Sequence, residues 1–338
     1  MSPRQASDPS ATALFHLITS QRITTVIHVA VRLGVPQCLA GGARALPELS
    51  RETGADERSL GRLLRALVTL GLCERVDDER FSLTSMGSHL TDGARPSFAH
   101  WAILEAQIEA RLWERLLDRV RTGRSPDGAA QFFAEMAPGP AKALYEGMVA
   151  LTELVVPDLL AAWDFSGITR LIDVGGGQGH LLSAILRAYP SMLGTVFDLP
   201  RCAEAATRHL AEAGVGDRGD FVAGSFFARV PEGADALILK SVLHDWDDAE
   251  SLRILDSCRN ALPPSGKLLL VEGILPEDPG ANPDRCSIAL SDLNLLALGG
   301  GACERTEEEF RELLRVGGFG MTHVRSAGRY NVIEARVA

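Results

Sequence analysis

Paired cysteines, membrane-length apolar runs and a surplus of positive charge are all missing from this chain. Its six cysteines, at positions 38, 73, 202, 258, 286 and 303, are scattered without a C-x-x-C. Neither a zinc knuckle nor a disulfide framework is signalled, and a reducing cytoplasm is the simplest home. No uninterrupted apolar run is long enough to span a membrane, and the polar start MSPRQASDPS does not read as a signal peptide. The net charge of −10 argues against nucleic acid as the main partner. What is present is 338 residues, 46% hydrophobic and 23% charged, the composition of a soluble globular protein with room for two domains.

The chain is organised around RLIDVGGGQGHLLSAILRAYPSMLGTVFDLP, Arg170 to Pro200. Leu171 to Val174 reads as a buried strand, and the cluster Gly175, Gly176, Gly177, Gln178, Gly179 as the turn after it. Leu181, Leu182, Ile185 and Leu186 recur at helical spacing, and Pro190 helps to end that helix. A second strand, Gly194 to Phe197, stops at Asp198. A dinucleotide loop needs a third small residue in G-x-G-x-x-G/A, so that the helix can lie close to the strand. Counted from Gly175 or Gly177, that place holds His180 or Leu182, so a pyrophosphate site is disfavoured. The pattern is G-x-G-x-G behind an acid, Asp173. It suits a ligand without phosphates, whose amino-acid tail and ribose pass close to bare backbone. Asp198, at a strand end, is placed to accept both ribose hydroxyls.

Taken in order, residues 11 to 39 read as helical and apolar on several faces, which requires burial, most simply against a second subunit. Leu46 to Thr53 reads as a helix ended by Gly54. Asp56 caps the next helix, with Leu60, Leu63, Leu64, Leu67 and Leu70 on one stripe. Cys73 to Val76 and Arg80 to Leu83 flank a turn and read as a hairpin. Helix, turn, helix and hairpin make a winged helix. Arg58, Arg62 and Arg65 would suit DNA, but acids surround them, and a dimerisation scaffold is the preferred reading. Residues 97 to 165 read as mostly helical, with a loop at 121 to 130. Within them, Phe132, Phe133, Met136, Leu144 and Met148 are apolar candidates for either core or a substrate pocket. Three further strands follow Asp198: Gly219 to Ala223, Ala234 to Lys240 and Lys267 to Glu272. A hairpin around Gly328 (Met321 to Arg325, Asn331 to Arg336) closes the chain.

His244 lies just beyond the strand that ends at Lys240, in LKSVLHDWDD. Asp247, Asp248 and Glu250 sit in the first turn of the following helix, where acids complement the dipole. A metal held by His244, Asp245 and Asp247 is disfavoured because no second histidine lies nearby, and no metal site is expected. Glu272 ends the fifth strand in VEGILP. Glu304 precedes Arg305 and Thr306, of which Thr306 is the better helix cap.

DVGGGQG, FDLP, LKSVLHDWDD, VEGILP and GGGACERTEEEF together resemble the bacterial relatives of plant caffeate- and flavonoid-type O-methyltransferases. The resemblance covers most of the chain. It implies an α/β fold: a class I methyltransferase Rossmann-like sheet with an N-terminal winged-helix dimerisation domain. The expected ranges are 1–95 for dimerisation, 96–165 for a helical linker and pocket region, and 166–338 for the catalytic domain. The implied cofactor is S-adenosyl-L-methionine, held by Gly175, Gly177, Gly179, Asp198, Ser225, Phe226 and Lys240. Many relatives carry an acid where Ser225 stands. The implied base is His244, flanked by Glu272 and Glu304. Leu144 and Met148 fall on family positions that face the aromatic substrate; Phe132, Asp245 and Asn294 are further candidate substrate residues. The partners implied are a small aromatic molecule and a second copy of the chain, with no nucleic acid and no membrane.

A phenol near pKa ~10 and a histidine near ~6.5 differ by about 3.5 units, roughly 5 kcal/mol uphill for complete proton transfer. A simple alcohol would demand far more, so a phenolic hydroxyl is the favoured acceptor. Relatives that keep the cofactor but hydroxylate or decarboxylate form one alternative. A ligand-binding winged-helix regulator forms the other.

Overall fold

The computed structural model describes residues 8–123, 138–277 and 283–338. The chain divides into two compact units, Met1–Ala110 with Lys142–Ala150, and Arg111–Ala141 with Leu151–Ala338.

In the first unit, residues 11 to 39 form three helices rather than one continuous apolar stretch: Pro9–Ile18, Gln21–Arg32 and Val35–Leu39. The breaks have local causes. The Thr19 and Ser20 hydroxyls bond back to the Phe15 and Leu17 carbonyls, both at 2.8 Å, competing with the next helical turn. Gly34 takes φ +74°, a left-handed value that ends the second helix. Within the single chain the first helix is not buried: Leu17 and Ile18 are 72% and 71% exposed. The rest of the unit follows the pattern. Helix Leu46–Thr53 ends at left-handed Gly54. Asp56 accepts the Ser59 N–H as cap of helix Glu57–Thr69, which buries Leu60, Leu64 and Leu67. The hairpin forms as β2 (Cys73–Arg75) and β3 (Arg80–Leu83), with β1 (Arg44–Ala45) on the other side of β3, a strand too short to show in the sequence pattern.

Residues 97 to 165 contain helices Ala99–Leu104, Ala110–Trp113, Leu116–Thr122 and Pro138–Ala162, with one π-helical turn at Glu105–Glu109. Phe132, Phe133, Met136 and most of the 121–130 loop lie outside the described residues.

The second unit is built on a seven-stranded sheet in the order β11-β12-β8-β7-β4-β5-β6. Its parallel members are β4 (Arg170–Val174), β5 (Leu193–Asp198), β6 (Gly219–Ala223), β7 (Ala236–Lys240) and β8 (Lys267–Glu272). β4, β7 and β8 are near-continuous runs of buried aliphatic residues, as strands covered on both faces must be. β7 begins at Ala236 rather than Ala234, because the Asp235 side chain turns away to accept the Thr169 and Arg170 N–H groups at 2.8 and 2.9 Å. β9 (Ile274–Leu275) and β10 (Arg305–Thr306) form a short parallel pair. The closing hairpin, β11 (Phe319–Ala327) and β12 (Tyr330–Val337), is longer than the pattern indicates and pairs antiparallel with β8. No helix among the described residues is long and apolar enough to cross a membrane.

Candidate active site

The C-terminal ends of β4, β5, β7 and β8 converge on one site, the usual ligand position for an open α/β sheet. After β4 the chain needs three left-handed residues in quick succession: Gly175, Gly177 and Gly179 have φ of +74°, +55° and +79°. Side chains resist that conformation. Gly176 is required for a different reason, since a Cβ there would sit 2.6 Å from Asp173 Cγ. A Cβ on Gly177 would meet nothing within 4 Å, so this backbone faces open space. Gly179 caps helix His180–Ala188. Asp198, at the end of β5, closes the turn: Oδ2 accepts the Gly177 N–H at 2.8 Å and Oδ1 accepts the Leu199 N–H at 2.6 Å. Cys202 also bonds to this carboxylate, and its remaining lone-pair capacity is what it offers a ligand hydroxyl.

Beneath the loop, Asp173 is 1% exposed and its Oδ2 has no hydrogen-bond partner. Burial pushes its carboxyl up to about 7, opposed by the Lys240 charge and reinforced by Asp198. Burial likewise lowers the Lys240 ammonium, while Glu272 and Asp173 support its charge. Phe226 packs edge-on against Phe227 and Trp246, with ring centroids 4.9 and 5.9 Å away. Its rim lies 3.9 Å from where a Gly175 Cβ would be. Ser225 uses its hydroxyl locally, accepting the Phe227 N–H at 3.3 Å. A half-buried glycine backbone open at Gly177, a strand-end carboxylate, a buried acid with one unpartnered oxygen and an aromatic wall fit a cationic amino acid joined to a ribose and a flat base.

His244 sits on a single 3-10 turn, Leu243–Asp245, after β7. Its Nδ1 lies 3.4 Å from Glu304 Oε1 and 3.6 Å from Glu272 Oε2, and its Nε2 lies 3.7 Å from Asp245 Oδ1. The β9–β10 pair explains why two glutamates 32 positions apart meet: Ile274 is in register with Arg305, which sets Glu304 beside the end of β8. Gly273 is the close-approach residue there, because a Cβ would stand 3.0 Å from Glu304 Oε2.

Burial alone would favour neutral imidazole at His244. The Glu272, Asp245 and Glu304 charges outweigh it and raise the ring's pKa to about 10. Burial also acts on both glutamates, with different outcomes. Glu272 is raised, whereas Glu304 is held below its ordinary range by His244 and by a hydrogen bond from Ser291. Glu304 is therefore the firmer counter-ion.

Several residues that hold this centre are not evident from the sequence pattern. Ser291 donates to Glu304 Oε1 at 2.8 Å, and Asp292 accepts the Glu304 N–H at 3.0 Å. Arg305, 3% exposed, donates to the Leu243 and Trp246 carbonyls at 3.0 and 2.9 Å and pairs with Asp248 at 2.8 Å. Its position directly after Glu304 is the one available signal. Asn294 gives its oxygen to the Trp113 indole N–H at 2.7 Å, which leaves its amide as a donor. Leu144 and Met148, half-buried, belong to the first unit.

Asp247 caps helix Asp248–Ala261 through the Glu250 N–H at 2.8 Å, so it is committed to structure. His244, Glu272 and Glu304 present one nitrogen and two oxygens within 4.8 Å of one another, donor types that a divalent cation also accepts.

Residues 113–320 match the family model of an O-methyltransferase domain, and residues 15–93 match that of an O-methyltransferase dimerisation domain. A phenazine O-methyltransferase of Lysobacter antibioticus is 37% identical, covering 98% of each chain. The mitomycin biosynthesis 6-O-methyltransferase of Streptomyces lavendulae is 38% identical, covering 92% of this chain and 90% of its own. The crystal structure of human N-acetylserotonin methyltransferase with bound S-adenosylmethionine superposes with a TM-score of 0.87 at 26% identity, covering 99% of each chain.

Proposed function

The chain belongs to the S-adenosylmethionine-dependent O-methyltransferase family, and from that premise we propose that it methylates a phenolic hydroxyl of a small aromatic natural product with His244 as general base. The relatives named above act, by their names, on phenazine and mitomycin-type compounds. The observation that carries the reading is His244 Nδ1 standing between two carboxylates.

Carboxylates only accept, and Nδ1 has two of them at 3.4 and 3.6 Å against one at 3.7 Å from Nε2, so in the neutral ring Nδ1 carries the proton and Nε2 is the basic nitrogen. Nε2 takes the proton of the acceptor hydroxyl as that oxygen becomes a nucleophile. The imidazolium so formed is stabilised by Glu304 and Glu272, as an orienting acid does in other base-assisted sites. A ring held near pKa 10 matches a phenol near ~10. Proton transfer is then close to balanced, rather than roughly 5 kcal/mol uphill as with an ordinary histidine. In the free enzyme at neutral pH the ring is mostly protonated, so turnover should climb as pH rises.

When bound, S-adenosylmethionine supplies an electrophilic methyl group on a positively charged sulfur. Gly175, Gly177 and Gly179 would lie along its amino-acid tail, Asp198 would accept the ribose hydroxyls, and Phe226 would cover the base. Ser225 retains hydroxyl capacity at that edge. Lys240 and Asp173 would meet the zwitterionic end. Asp245 and Asn294 would contact the acceptor.

We also assign a homodimer through residues 11–100, supported by the dimerisation-domain match over 15–93, with the exposed face of helix Pro9–Ile18 in the contact. The test of function is incubation with S-adenosylmethionine and two phenolic probes, 1-hydroxyphenazine and 1-hydroxy-2-naphthoate, followed by mass spectrometry. A product heavier by one CH2 supports methyl transfer. A product heavier by one oxygen, or lighter by carbon dioxide, contradicts it and favours the hydroxylating or decarboxylating relatives.

A further inference from the structure

The segment Lys240–His244 carries the one left-handed residue among the described residues that is not glycine: Ser241, at φ +54°. That conformation costs a residue with a Cβ free energy and persists only when its surroundings enforce it. Here the enforcement is visible. The Ser241 N–H donates to the Val271 carbonyl at 3.1 Å. Ser241 Oγ donates to Tyr330 Oη at 3.2 Å and accepts from Lys240 Nζ at 3.4 Å. Tyr330 begins β12, next to Asn331, which is in register with Glu272. Its ring is 5% exposed, and the Lys240 ammonium lies 5.6 Å from the ring centroid. The strained residue thus stands between the lysine that faces the cofactor site and the histidine that faces the acceptor. Among the described residues its side-chain anchors are Lys240 Nζ and Tyr330 Oη.

Resting on the general-base reading above, we propose that Tyr330 and Ser241 are positioning residues for methyl transfer. The Lys240–Ser241–Tyr330 hydroxyl chain holds the left-handed turn that aims Lys240 and His244 into the same site. A straighter turn at Ser241 would redirect every residue up to His244. Glu272 pins the Val242 and Leu243 N–H groups that follow, at 2.9 Å each, but acts on Lys240 only through its charge and does not anchor the Ser241 hydroxyl. The tyrosine hydroxyl therefore has a task that the glutamate cannot perform.

The test compares Tyr330→Phe, Ser241→Ala and Ser241→Gly with wild type. Tyr330→Phe removes one neutral hydrogen bond and should lower kcat about 3- to 10-fold. Ser241→Ala removes the anchor but keeps the Cβ that opposes the turn, and should lower kcat about 5- to 20-fold. Ser241→Gly also removes the anchor but frees the turn, so it should recover most of what alanine loses. The His244 ring is followed independently by NMR titration of histidine-labelled protein without cofactor or acceptor, its signal assigned by loss in His244→Ala. The ring pKa should shift in Tyr330→Phe and Ser241→Ala, and return toward wild type in Ser241→Gly. A wild-type ring titration in all variants overturns the proposal. So does equal loss with alanine and glycine, or a defect confined to the melting temperature. Should wild type methylate neither probe, the proposed function fails while the ring titration still decides this inference.

Discussion

Glu272 holds both His244 and the backbone that delivers it. Its Oε1 accepts the Val242 and Leu243 N–H groups at 2.9 Å each, and its Oε2 stands 3.6 Å from the His244 ring nitrogen. One buried side chain sets the place of His244 and supports its charge, two roles that different substitutions separate.

Glu272→Gln keeps a carbonyl oxygen for the two N–H donors and removes the charge. It should fold normally and lose about 10- to 100-fold in kcat. Glu272→Ala leaves two buried donors unpaired and should also destabilise the protein by about 2–4 kcal/mol. Denaturation midpoints and kcat measured for both variants check the distinction. Equal stability of the two would contradict it.

Asp198 should dominate the affinity for cofactor. Asp198→Ala removes the acceptor offered to the ribose and the clasp on Gly177, a loss of about 1–3 kcal/mol in binding S-adenosylhomocysteine. Titration calorimetry showing unchanged affinity would defeat the assignment.

Asp173 makes stability depend on pH in a direction opposite to an ordinary salt-bridged acid. Its folded pKa of about 7 lies above the unfolded value near ~3.9. The folded state therefore holds the proton more tightly, and stability falls as pH rises between those values. Asp173→Asn cannot ionise. It should melt above wild type at pH ~8 and keep only about a third of that advantage at pH ~5. A difference in melting temperature that does not vary with pH would remove the buried-acid account.

Helix Pro9–Ile18 should lie in a subunit contact. Leu17 and Ile18, about seven-tenths exposed in the single chain, form an apolar surface that water disfavours. Light scattering should give a dimer for wild type, and a shift toward monomer for Leu17→Glu combined with Ile18→Glu. A wild-type monomer at micromolar concentration would refute it.

Much of the fold is legible in the sequence because its signals are local. A left-handed φ selects glycine at 175, 177 and 179, and alternating strand and helix patterns mark β4 to β8. His244 stands out by following a strand directly. Contacts made across distant segments leave no such trace. Ser291 reaches Glu304 from another helix, Trp113 meets Asn294 across 181 positions, and the two-residue β9–β10 pair is too short for periodicity. The breaks at Thr19–Ser20 and Gly34 were masked by the apolar residues around them. Tyr330 reads as one more strand residue until its hydroxyl is seen on Ser241.

The most direct test of the account is the pH dependence of methyl transfer in wild type and His244→Ala. Wild-type kcat/KM should rise with pH toward the raised ring pKa of about 10. At pH ~7, His244→Ala should turn over about 10²- to 10⁴-fold more slowly while binding S-adenosylhomocysteine as wild type does. Above the phenol pKa of ~10 it should partly recover, because the acceptor ionises unaided. Both enzymes should keep their rates in a chelator, since the trio is assigned to a proton rather than a metal. Near-normal turnover of His244→Ala at neutral pH, or a defect traced to lost cofactor binding, would contradict the general-base role.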